Sequence, residues 1–104
     1  MATATRYLIK ATYTEGSHAG KSYFIGKGGY VVDADGIQWD DWTYKTYGTA
    51  NRVCKKLYED NELSRKCERQ DEAWRIKKGF PPREWYIYEA QTYEPYPVEA
   101  IIKI

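Results

Sequence analysis

The residues able to carry chemistry are few and scattered. His18 is the single histidine, and the cysteines are Cys54 and Cys67. A hydrolytic triad needs a nucleophile, a base and an orienting group brought together. No sequence signature surrounds a Ser or Cys near His18, which stands in the loop Glu15–Gly20. One His and two separated Cys do not make a zinc set. On one helix the two cysteines would lie about 20 Å apart, too far for a disulfide, and both fall at apolar-stripe positions expected to be buried and reduced. Asp40 and Asp41 are adjacent, so on a strand they point to opposite faces and cannot pair as acid and base.

Two loops resemble ligand motifs without meeting their requirements. Gly16-Ser17-His18-Ala19-Gly20-Lys21-Ser22 has three residues between its glycines where a phosphate-binding loop has four. It also feeds Tyr23-Phe24-Ile25, a strand, and not a helix whose N-terminal amides would face phosphate. Counted from Asp33, a calcium loop would need Gly where Gln38 stands and Glu where Tyr44 stands. Asp33-Ala34-Asp35-Gly36 is therefore read as a turn, with Gly36 supplying a left-handed residue. The expectation is a protein without catalysis, metal or cofactor.

Eleven Tyr, four Trp and two Phe in 104 residues are enough aromatic surface for a core, a binding face or both. Sixteen basic against fifteen acidic residues leave a net charge of +1, so there is no global field for nucleic acid or an acidic surface. The imbalance is local. Residues 49–79 hold nine basic and six acidic side chains, while residues 80–104 hold two basic and four acidic ones.

The elements that must position these groups follow from periodicity. Arg6–Thr14 alternates as a strand, the loop 15–20 is of hairpin type, and Lys21–Gly26 returns. Gly28-Gly29 breaks the chain, Tyr30-Val31-Val32 is extended, and Ile37-Gln38-Trp39 is a further short strand. Ala50, Val53, Cys54 and Leu57 form an amphipathic stripe, with Thr46 or Thr49 as its N-cap. Leu63, Cys67 and Trp74 form a second stripe rotated about 100° from the first. The phase break at Asp60-Asn61 predicts two helices, or one bent helix, over 49–60 and 62–78, stopped by Gly79 and Pro81-Pro82. Glu84–Ala90 reads as the strongest strand, Tyr93–Pro97 as irregular because of its prolines, and Val98–Ile104 as a last strand. Strands, helices, strands in one domain over 1–104 imply an α+β fold: an antiparallel sheet of three to five strands with the helical segment on one face. No segment approaches the about 20 apolar residues of a membrane span, and the N-terminus has no signal-length apolar run.

On that plan Trp39, Trp74 and Trp85 fill the layer between helix and sheet, while Tyr86 and Tyr88 occupy the opposite sheet face. Such a face can anchor a protein or stack bases. The partner-binding set expected from sequence is Arg65, Lys66, Arg69, Tyr86 and Tyr88.

Three segments carry a resemblance: Tyr23-Phe24-Ile25-Gly26-Lys27, Thr46-Tyr47-Gly48-Thr49-Ala50-Asn51-Arg52-Val53 and Trp85-Tyr86-Ile87-Tyr88-Glu89-Ala90. In their layout the chain resembles small proteins of bacteriophages and mobile elements, among them the anti-CRISPR inhibitors. The resemblance implies a cytoplasmic, non-enzymatic protein that binds and inhibits a larger host protein such as a defence nuclease, itself often bound to nucleic acid. It supplies no site residues. The alternative expectation is a small nucleic-acid-binding module using the same tyrosines and helix Lys/Arg.

Overall fold

A computed structural model describes residues 2–102. The chain order is β1 (Ala2–Tyr13), β2 (Ser22–Ile25), β3 (Val31–Val32), β4 (Gln38–Trp39), a 3₁₀ turn (Asp40–Trp42), α1 (Tyr47–Lys77) and β5 (Gln91–Ile102). The five strands form one open sheet in the order β3-β2-β1-β5-β4, antiparallel except for the β4–β5 pair. The α+β architecture and the β1–β2 hairpin are those expected. Of the last predicted strand, Lys103 and Ile104 lie outside the described residues, as does Met1 at the N-terminus.

The core forms where β1 alternates. Ile9 and Ala11 point to one face and pack with Ile25 and Cys54, flanked by Tyr23, Tyr44, Val53, Leu57 and Tyr93. Burial pushes the Cys54 thiol up to about 11 and the Tyr93 phenol up to about 12, so both stay neutral. On the opposite face Leu8 is fully buried although no helix lies there. The Phe24 and Tyr96 rings meet 4.9 Å apart on that face, from the strands on either side of β1. The connection from β4 also crosses it: β4 pairs with the outer edge of β5, Asp40 accepts from Arg6 Nε at 2.8 Å, and Tyr44 bridges to Tyr7. Gly26 permits that crossing, because a Cβ there would lie 2.7 Å from the Trp42 carbonyl oxygen.

Tyr93–Pro97 is strand, contrary to expectation. Thr14 N–H donates to the Ala90 carbonyl, so even-numbered residues of β1 and β5 form the hydrogen-bonded pairs. Pro95 and Pro97 face Ile9 and Tyr7, the other kind of pair, and their missing N–H would point away from β1. Beyond them β4 pairs only with Ala100 and Ile101. The prolines lie along an open edge, where they cost no ladder bond.

The helical segment is a single helix of 31 residues, not two. Thr46 caps it, accepting from Thr49 N–H at 3.2 Å, and Gly79, at φ 93°, ends it. Its buried residues are Ala50, Cys54, Asn61 and Glu68. At about 100° per residue these four fall within roughly 40° of one another, so the covered face never changes direction. What changes is its chemistry, from apolar to polar at Asn61. The Leu63, Cys67 and Trp74 stripe lies about 130° away and is exposed. Cys67 is therefore a surface thiol, not the buried one expected, while Cys54 is buried; both are free.

Candidate functional site

Beyond Asn61 the helix leaves the sheet, and the chain returns along it through residues 80–90. Together they form an arm, which gives the molecule extents of 62 × 22 × 17 Å. Glu84–Ala90 is irregular because β1 has ended and no strand remains beside it. Helix side chains take the place of a ladder. Glu68 accepts from Ile87 N–H at 2.8 Å, Tyr88 N–H at 3.0 Å and Arg83 Nη1 at 3.2 Å. Asn61 donates to the Glu89 carbonyl and accepts from Gln91 N–H, which steers the chain into β5. The bonds to the Glu68 carboxylate are charge-assisted and are the stronger ones.

This arm receives all five residues expected to bind a partner, and it uses three of them internally. Arg65 pairs with Glu15 and Glu62. Arg69 lies over the Tyr86 ring, 3.5 Å from its centroid, and the Tyr86 hydroxyl donates to Glu72 at 2.8 Å, which raises the phenol's pKa. Lys66 and Tyr88 remain exposed. Tyr86 and Tyr88 are not on the sheet, so no stacking platform forms there. Nor do the tryptophans fill the helix–sheet layer: Trp39, Trp74 and Trp85 are all exposed. Small residues, Ala11, Ala50 and Cys54, bring helix and sheet together and leave no room for indoles.

His18 is met by Ser17 and Glu89. Ser17 Oγ lies 3.3 Å from Nδ1, Glu89 Oε2 lies 3.2 Å from the same Nδ1, and Ser17 Oγ donates to Glu89 Oε1 at 3.2 Å. A nucleophile–base–acid relay uses both ring nitrogens. Here one nitrogen faces both groups, so the contact latches the hairpin loop to the base of the arm. Among the described residues no group of three or more His, Cys, Asp or Glu side chains is placed to hold a metal ion.

A further concave feature is at the other end of the molecule. A cavity of about 480 Å³ opens between Tyr30, Val31, Val32, Ile37, Gln38 and Trp42. Tyr30 is 76% exposed, Ile37 73% and Trp42 53%. Asp33 begins a turn below them, its carboxylate accepting from Asp35 N–H at 2.9 Å. Gly36 is not among the left-handed glycines, so that turn closes through the Asp side chain. Gln38, nearly buried, donates to the Asp33 and Gly36 carbonyls and fixes the loop. None of these residues belongs to the partner-binding set expected from sequence. The signal was present: residues 26–43 carry Tyr30, Val31, Val32, Ile37, Trp39 and Trp42 with too little regular structure to bury them. No helix of the described residues is long and apolar enough to cross a membrane. No protein-family model, curated protein or solved structure matches the chain.

Proposed function

We propose that the protein is a non-catalytic inhibitor or adaptor that engages a larger protein through the cavity at the sheet end. The observation that carries this is the exposure of Tyr30, Ile37 and Trp42 around one concave apolar opening. Large apolar side chains held outward by a fixed loop are the usual anchors of an interface. β3 is a two-residue edge strand beside them, so an extended partner segment can add along Val31–Val32 and seat an apolar side chain in the cavity. The resemblance to anti-defence proteins supports a host nuclease as the partner, met in the bacterial cytoplasm.

The test is inhibition of target DNA cleavage by a panel of purified CRISPR nucleases. Stoichiometric inhibition is expected from the wild type, and at least a tenfold weaker effect from Tyr30→Asp/Ile37→Asp. Both positions are exposed, so the variant should keep its melting temperature. Inhibition that survives the double substitution removes the cavity from the reading, and a panel left fully active removes the nuclease.

A further inference from the structure

Leu63 and Cys67 take no part in the core, the arm's internal bonds or the cavity, and Trp74 beside them on the stripe meets the Lys78 ammonium, 5.9 Å from its ring centroid. The stripe lies on the outer face of α1, and with the charged residues that flank it, from Glu59 to the C-cap Lys78, it spans about 28 Å at the helical rise. Every stripe residue is exposed. Arms whose outer faces are apolar in the middle and charged at the ends are complementary to something of matching length.

We propose that the occupant is a second copy of this chain, packed antiparallel about a two-fold axis passing beside positions 68 and 69. The warrant is charge and shape together. In that arrangement residues on the same side of the stripe face each other across the axis. Glu59 then faces Lys77, and Asp60 faces Lys78, each pair lying on one side of the stripe by the 100° rule. Symmetry doubles them to four ion pairs, two at either end of the contact. Among the described residues none of these four side chains forms a salt bridge within its own chain. Leu63 faces Trp74, and both are more than half exposed in the single chain. Beside Leu63 is a groove of about 410 Å³, lined also by Cys67, Ile87 and Tyr88, open to take the opposing indole. The parallel alternative sets Glu59 against Glu59 and Lys77 against Lys77, repelling at both ends. This pairing uses none of the cavity residues at the sheet end, so it stands or falls independently of the proposed function.

Sedimentation or light scattering of the purified chain over about 5–300 μM tests the pairing. The mass should rise from 12.2 kDa toward twice that value with concentration, and added salt should weaken the association because the end pairs are exposed. Glu59→Lys/Asp60→Lys and Lys77→Glu/Lys78→Glu should each weaken self-association at least tenfold. An equimolar mixture of the two should associate again, because opposite charges then face each other. A short bis-maleimide should link Cys67 across the axis in the wild type and in that mixture only. A wild type that stays at 12.2 kDa at 300 μM overturns the proposal, and so does a Leu63→Asp variant that loses nuclease inhibition while the wild type stays monomeric, which would give the stripe to a different protein. Dimers in both charge variants alone overturn the antiparallel register.

Discussion

Glu68 is the residue on which the arm's internal order depends most. Its side chain is 5% exposed and its carboxylate accepts three donors, two of them backbone N–H groups of the returning chain. A carboxylate this buried is tolerable only because it is paired and hydrogen-bonded. From spacing alone, Glu68 and Glu72 look like a repelling i,i+4 pair. In the structure each is turned to a different donor, Glu68 to Ile87 and Tyr88 and Glu72 to the Tyr86 hydroxyl. Glu68→Gln keeps the length but replaces one accepting oxygen with an amide donor, in a place where only donors face it. The expected loss is about 2 kcal/mol of local stability, the scale of a hydrogen bond to a charged group. That should speed hydrogen exchange at the Ile87 and Tyr88 amides by about thirtyfold, leaving β1 unchanged. Lys66→Gln, two residues away on the exposed side of the helix, is the control. Unchanged protection at both amides in Glu68→Gln would mean the return segment is held by something other than this carboxylate.

At the level of elements, β5 shows how a strand can carry two prolines. They occupy alternate positions, both on the edge that β4 leaves uncovered, and so deny that edge two donors. Pro95→Val/Pro97→Val should leave the β1–β5 register intact and cost about 1–2 kcal/mol in total through the freer unfolded chain. It should also add two outward N–H groups, so that β-rich aggregates form on prolonged incubation where the wild type stays clear, read by light scattering. A variant as soluble as the wild type would show that the edge is protected by other means. Much of this layer was legible in advance: the hairpin, the Thr46 cap, the Gly79 stop and the Ala50–Leu57 stripe are local signals that the tertiary structure kept. What failed did so for tertiary reasons. Residue type alone argues against the prolines in a strand, but their tolerance depends on which side their neighbour lies. Glu84–Ala90 has the residues of a strand but no strand beside it. Asn61 looked like a break in helical phase, whereas its side chain is turned inward to hold Glu89 and Gln91. Of the candidate site, the five residues named from sequence do gather in one region, yet Arg65 is engaged by Glu15 and Glu62, Tyr86 by Glu72, and Arg69 by the Tyr86 ring, contacts that no periodicity displays.

Over the whole molecule, stability is unevenly distributed. The apolar core lies between the sheet and the first half of α1, around Ile9, Ala11, Ile25 and Cys54. The arm has no comparable core. Its bonds are polar, and Arg65 Nε, Arg83 Nε and one Glu72 oxygen are buried there without a partner, each a cost to the folded state. Such a region opens at lower free energy than the body it extends from. In dilute solution, amides of residues 64–76 and 87–88 should therefore exchange faster than those of Leu8–Ala11, by local opening and not global unfolding. Pairing of the arms adds a second term. An arm that must dissociate before it opens is protected in proportion to the scarcity of free monomer, whose fraction falls as the inverse square root of total concentration once dimer dominates. Protection of residues 64–76 should then rise about threefold for each tenfold increase in concentration, while Leu8–Ala11 stays constant. In Glu59→Lys/Asp60→Lys the arm should exchange at its dilute rate at every concentration. Equal rates in arm and sheet would mean the molecule opens only as one unit; faster exchange of the arm that ignores concentration would keep the arm as a separate unit and remove its pairing with a second copy.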